Sequence, residues 1–169
     1  MRIFLTGRPG CGKSTLIQRI IDELQKRKIK IAGILTPEIR TSSGRQGFEI
    51  IDIASGEKGI LAAVYIKSNY KVSKYGINIS DIDRIVEQFE KSLAGADIII
   101  IDEVGKMEFY SKKFKATIDK ILALDKPLLA SLHRALINDF KNYGEIIFVD
   151  KSNKEQLVGE VLEKLTKAL

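Results

Sequence analysis

Two rhythms of apolar and polar positions alternate along this chain. Short apolar runs mark strands over about Arg2 to Leu5, Lys30 to Thr36 (stopped by Pro37), Asp97 to Asp102, Pro127 to His133 and Ile146 to Val149. Between them, apolar residues recur at the three- and four-residue spacing of a helix face. Leu16, Ile17, Ile20, Ile21 and Leu24 predict a helix over Lys13 to Arg27, and Ile82, Ile85, Val86, Phe89 and Leu93 predict one over Asp81 to Leu93. Phe114, Ile118, Ile121 and Leu122 predict a third over Lys112 to Leu124, and Lys154 to Leu169 closes the chain as a fourth. Strands alternating with helices predict an α/β fold with a mostly parallel central sheet flanked by helices.

Residues 40–79 break this alternation. Ser42, Ser43, Gly44 and Gly47 make a turn, and Phe48 to Ile53 and Gly59 to Ile66 are β-type runs joined by the turn signal Ser55-Gly56. They predict an inserted antiparallel hairpin joined to the sheet, to which Tyr75 to Ile79 can add a strand. Such a hairpin either shapes the base side of a pocket or covers a sheet edge.

Length and composition narrow the class. The 169 residues suit one domain over 1–169, and 44% hydrophobic content is enough for a real core. No linker, repeat or low-complexity tract divides the chain. The net charge of +6 attracts polyanions. The basic residues are spread along the chain, which favours a lysine-rich surface over a clustered RNA footprint. Cys11 is the only cysteine and His133 the only histidine, so neither a disulfide nor a Cys/His metal cluster forms within the chain. The N-terminus lacks a signal-peptide core, and Ile98 to Ile101 is too short to span a bilayer. A cytoplasmic protein without membrane contact is the expectation, with no obligate protein partner evident.

The chemistry concentrates in Gly7, Arg8, Pro9, Gly10, Cys11, Gly12, Lys13, Ser14 and Thr15, which fit the phosphate-loop pattern G-x-x-x-x-G-K-[ST]. Chance writes its fixed positions into roughly 1% of chains this size or fewer. The setting is also the required one: strand before, helix after. Glycines let successive N–H groups turn inward onto phosphate oxygens, and the following helix aims its positive end at them. Lys13 supplies a point charge to the β- and γ-phosphates, and the Ser14 hydroxyl is a Mg²⁺ ligand.

A second motif complements it. The apolar strand Ile98-Ile99-Ile100-Ile101 ends in Asp102-Glu103. Asp102 is the candidate for holding the Mg²⁺ water shell beside Ser14, and Glu103 for orienting the attacking water or taking its proton. Glu108 is a second candidate base. Lys106 is either a stabiliser of charge on the transferred phosphoryl group or a surface lysine. Ser131 ends a strand expected beside the acidic one, where it can sense the γ-phosphate, and His133 and Arg134 follow. No Asn-Lys-x-Asp sequence is present, so strict guanine selectivity is not supported.

Several of these segments together resemble the THEP1 nucleoside-triphosphatase family, also described as cancer-related nucleoside-triphosphatase homologues. The phosphate loop is shared widely. More specific are Ile101-Asp102-Glu103-Val104-Gly105-Lys106-Met107-Glu108, Gly33 to Arg40, Arg45-Gln46-Gly47-Phe48, and Leu129 to Arg134. Ile34 departs from the aromatic found there in many members, a change that touches base preference if that side chain packs near the base. The resemblance implies slow, Mg²⁺-dependent hydrolysis of several nucleoside triphosphates to diphosphates. It also implies that Glu38, Arg40 and Arg45 lie near the site. The alternatives are a nucleotide or small-molecule kinase, disfavoured by scattered arginines, and a nucleotide-gated module binding RNA or protein.

Overall fold

In the computed structural model, which describes residues 1–169, a ten-stranded sheet runs in the order β10-β1-β9-β8-β2-β4-β5-β7-β6. Its strands are β1 (Arg2–Thr6), β2 (Ile31–Leu35), β3 (Glu38–Thr41), β4 (Gly44–Asp52), β5 (Lys58–Ala63), β6 (Lys71–Val72), β7 (Tyr75–Ile77), β8 (Ile98–Val104), β9 (Leu128–Leu132) and β10 (Glu145–Phe148). β3 pairs with β4 off this path. From β10 through β2 every pairing is parallel. From β2 outward every pairing is antiparallel. The inserted hairpin therefore extends the sheet as expected, with β3 and β6 as strands the apolar pattern did not mark.

Helices α1 (Lys13–Lys26) and α5 (Lys154–Lys167) pack on one face of the parallel strands, and α2 (Ile79–Ser92) and α3 (Lys112–Ala123) on the other. A short α4 (Ile137–Phe140) follows β9. The all-isoleucine run of β8 follows from this two-sided burial. Side chains alternate across a strand, so Ile99 and Ile101 enter the core under α2 and α3, while Ile98 and Ile100 enter the core under α1 and α5. In β1, Phe4 goes to the first core and Ile3 and Leu5 to the second. Ile34 is fully buried in the first core, so its side chain packs beneath the sheet and does not line the cleft.

Helix starts are fixed by local chemistry. The Asn78 side chain accepts the Asp81 N–H (3.2 Å) and the Ser111 hydroxyl accepts the Phe114 N–H (2.9 Å), each satisfying a donor left open at a helix N-terminus. Ser111 also donates to Asp83 of α2 (2.5 Å), tying the starts of α2 and α3 together. α1 has no such side-chain cap.

Candidate functional site

The strand order brings the chemistry together. β9 lies between β1 and β8, so the phosphate loop after β1, the acidic tip of β8 and the polar end of β9 share the C-terminal edge of the parallel strands. Ligands of open parallel sheets bind at that edge. A cleft of about 700 Å³ opens there. Its lining includes Gly7, Pro9, Gly10, Gly12, Lys13, Ser14 and Thr15 from the loop, and Asp102, Glu103, Lys106 and Glu108 from the acidic segment. Two residues of the motif do not reach it: the Arg8 side chain faces solvent, and Cys11 is buried beneath the loop.

The loop keeps its shape through Gly12, the residue before α1, whose φ of 104° lies in the left-handed region that favours glycine. The Lys13 ammonium lies inside the loop, donating to the Gly7 carbonyl (3.3 Å) and resting 3.9 Å from Cys11 Sγ. It is held over the cavity the loop encloses.

Asp102 is the centre of a polar network. Its side chain is buried and accepts a hydrogen bond from the Ser131 hydroxyl, and the Ser14 hydroxyl lies close enough to favour its charged form. Thr36 Oγ1 donates to its backbone carbonyl (2.8 Å), fixing the strand tip from the β2 side. The Asp102–Glu103 peptide is cis. Burial raises the Asp102 pKa above the usual carboxylate value, with the two hydroxyls and Lys13 opposing that rise. The residues fit Mg²⁺. No cluster of three or more Asp, Glu, His or Cys builds an all-protein cage. Mg²⁺ at a phosphate site takes only one or two protein oxygens beside waters and phosphates, and Ser14 with Asp102 supplies two adjoining ones. A cation there would also relieve the cost of burying the Asp102 charge.

Glu103 and Glu108 converge above Gly105. A Cβ on Gly105 would stand 2.9 Å from Glu103 Oε1 and 3.0 Å from Glu108 Oε2, so no larger residue fits without moving a carboxyl group. Burial raises the Glu103 pKa, and the Asp102 charge raises it further while Lys13 lowers it. Glu108 is only 4% exposed, a burial the sequence did not announce. Burial pushes its pKa to about 8, with the charges of Glu103 and Asp102 adding to the rise and its own and the Gly105 N–H groups opposing it.

That shift has a stability consequence. A carboxyl whose folded pKa is raised favours folding fully below its unfolded pKa, near 4.5, and loses that advantage as pH climbs through about 8. The free protein is therefore expected to lose thermal stability across this window. Glu108→Gln, which cannot ionise, should flatten the slope, with up to about 5 kcal/mol recovered above pH 8. Asp102 and Glu103 slope the same way and keep part of the trend. Unfolding midpoints at pH 5 and pH 8.5 test this, and equal slopes in variant and wild type would refute it.

The rim carries cations. Lys106 and Arg134 line the cleft, and neither forms an ion pair. His133 has its pKa lowered, by partial burial first and then by Lys106, Arg134 and Lys13, so it is a neutral ring at physiological pH. Its Nδ1 accepts the Ala135 N–H (3.2 Å), a structural use. The far wall is formed by Thr36, Phe48, Leu61, Val72 and Met107, of which Leu61 and Val72 lie outside every motif the sequence marked. Arg45 and Glu38 do line the cleft and pair with each other at 2.9 Å. Arg40 pairs with Glu38 at 2.6 Å but lies outside the lining.

Comparison with known proteins finds relatives that span the whole chain. A family model described as NTPase matches residues 2–162. Nucleoside-triphosphatase THEP1 of Methanocaldococcus jannaschii is 45% identical over 170 residues, covering 100% of this chain and 99% of its own. The Pyrococcus abyssi protein of the same name is 40% identical, covering 100% and 94%. Among solved structures, the crystal structure of THEP1 from the hyperthermophile Aquifex aeolicus superposes with a TM-score of 0.82 at 29% identity, covering 98% of this chain and 99% of that one. The solution structure of a human cancer-related nucleoside triphosphatase gives 0.78 at 25%, covering 99% and 98%.

Proposed function

The chain belongs to the THEP1 nucleoside-triphosphatase family and is a nucleoside triphosphatase, and from that premise we propose a Mg²⁺-dependent hydrolase of broad base tolerance acting in the cytoplasm. The observation that carries this reading is the convergence of Ser14, Asp102 and Glu103 beside Lys13 at the mouth of the phosphate loop, with Ser131 buried behind Asp102.

In this proposal the loop amides and Lys13 grip the β- and γ-phosphates, and Ser14 and Asp102 hold the cation. When bound, Mg²⁺ neutralises charge on the β- and γ-oxygens. Ser131 holds the Asp102 carboxylate in place. Glu103 accepts a proton from a water whose oxygen attacks the γ-phosphorus in line. The bond from that phosphorus to the β–γ bridging oxygen breaks, and a nucleoside diphosphate and phosphate leave. Lys106 meets the charge that develops on the equatorial oxygens. Preorganised charge rather than a covalent intermediate supplies the acceleration.

Broad base tolerance is supported by what the cleft lacks. The β10–α5 connection at 149–153 contributes none of the lining, and Glu38 and Arg45, the charged side chains away from the phosphate end, pair with each other. A site without built hydrogen bonds to a base has little with which to reject another. Phosphate release from ATP, GTP, CTP, UTP and dTTP should agree within about tenfold and vanish with a chelator. Turnover that survives the chelator, or confinement to one base, would overturn the reading.

A further inference from the structure

The cleft does not end at the phosphate loop and the acidic tip of β8: its lining continues onto the strands of the inserted hairpin. On the reading above, on which this inference rests, the γ-phosphate lies between Lys13 and the tip of β8. β8 stands two places from β1 on the side of β9, and β10 flanks β1 on the other side. Passing from γ to α, the tail runs from the acidic pair back along the loop to the start of α1, away from β8. The nucleoside then leaves over the β10 side. The cleft opens the opposite way, toward Glu38, and on to Arg45 and Phe48 of β4, Leu61 of β5 and Val72 of β6. In-line attack requires the nucleophile to come from this same side, opposite the leaving oxygen. The hairpin thus walls the nucleophile's side of the γ-phosphate, not the base.

This wall is built for a ligand. Arg45 Nε donates to the Tyr75 hydroxyl (3.0 Å) and Nη1 donates to Glu38 (2.9 Å). Its guanidinium carbon lies 5.1 Å from the Phe48 ring centroid and 5.6 Å from that of Tyr75. The arginine is locked on three sides, while Nη2 donates to no protein atom. Glu38 is already balanced by Arg40 and Arg45. Phe48, Leu61, Val72 and Met107 give an apolar surface beside it, and the unpaired Lys106 and Arg134 belong to the same cleft. An oriented guanidinium beside an apolar surface suits a phosphate ester that also carries a flat ring.

We propose that the hairpin half of the cleft is a second binding site, on the attack side of the γ-phosphate, for a nucleoside monophosphate, with its phosphate on Arg45 and its base on the apolar wall. Filling it excludes the attacking water, so occupancy governs the rate at which triphosphate is hydrolysed.

The test uses the full chain saturated with Mg²⁺ and a non-hydrolysable ATP analogue, titrated calorimetrically with AMP and with GMP. One monophosphate should bind per loaded protein, and its saturation should suppress phosphate release from ATP. Arg45→Ala should weaken the monophosphate by about tenfold or more, the loss expected for a charged hydrogen bond, and leave the analogue within about threefold. Arg45→Lys, which keeps the charge but not the fork, should weaken it as well, and unfolding midpoints confirm that both variants fold. Failure of either monophosphate to bind loaded protein, or simple competition with the analogue, overturns the second site. Equal weakening of the analogue by Arg45→Ala puts the base against the hairpin and overturns it too. Analogue binding indifferent to Lys13→Ala would instead overturn the parent reading.

Discussion

Lys13→Ala is expected to lower phosphate release by at least about 10²-fold, the loss typical of removing one charge-stabilising group from a transition state. Lys13 is the only cation inside the phosphate loop. Its ammonium is held by the Gly7 carbonyl and rests near Cys11 Sγ, so its position is set before substrate arrives. No acidic residue stands in the first turn of α1 to substitute a competing field. The buried face of that helix, with Leu16, Ile17, Ile20, Ile21 and Leu24, is untouched by the change, so the fold should survive. The damage should extend to the acids: Lys13 lowers the pKa of both Asp102 and Glu103, so its removal raises both. The acid limb of the rate profile should then move to higher pH, a readout that loss of packing would not produce. A colorimetric phosphate assay with a fluorescent-nucleotide titration measures both parts. Near-normal release from the variant would remove Lys13 from the site.

Much of this site could be read from residues alone because its chemistry is local in sequence. The phosphate loop is one contiguous segment, and the acidic pair closes an apolar run whose two-sided burial forbids charge anywhere but at its end. Neighbouring strands were legible for the same reason: Ser131 follows Leu128, Leu129 and Ala130, all buried, and therefore had to emerge at the edge shared with Asp102. The insertion was less legible. β3 reads Glu-Ile-Arg-Thr with mostly exposed positions, so no apolar alternation marks it, and its pairing with β4 puts the turn at Ser42-Ser43. β4 begins at Gly44 rather than Phe48 because its first residues pair with β3, an interaction carried by the backbone. The far wall of the cleft gathers side chains from β4, β5 and β6, which only the folded sheet assembles. Glu108 was the hardest to read: a carboxylate three residues from a glycine looks exposed, and its burial depends on how Gly105 leaves room for the Glu103 and Glu108 carboxyls to converge.

Glu103→Gln is expected to keep nucleotide binding within a few-fold and to lower turnover by about 10²- to 10⁴-fold, the contribution of a positioned general base. The substitution preserves shape and hydrogen-bonding reach but cannot accept a proton. Asp102, Ser14 and Lys13 are unchanged, so the groups proposed to grip phosphate and cation remain. The pH dependence sharpens the test. A base must be ionised to act, and burial together with the Asp102 charge holds the Glu103 pKa above its ordinary value. Wild-type turnover should therefore be lost on acidification at a higher pH than an exposed glutamate would give, and that limb should disappear from the residual rate of the variant. Glu108 is the competing assignment. Its pKa near 8 keeps it mostly protonated at neutral pH, which suits a buried hydrogen-bond donor better than a base. If Glu103→Gln turns over normally while binding nucleotide poorly, the roles reverse: Glu103 belongs to substrate binding and Glu108 must lose its proton when the site fills. Parallel single-turnover measurements on Glu103→Gln and Glu108→Gln separate the two, because only the true base should abolish the chemical step while leaving the binding phase intact.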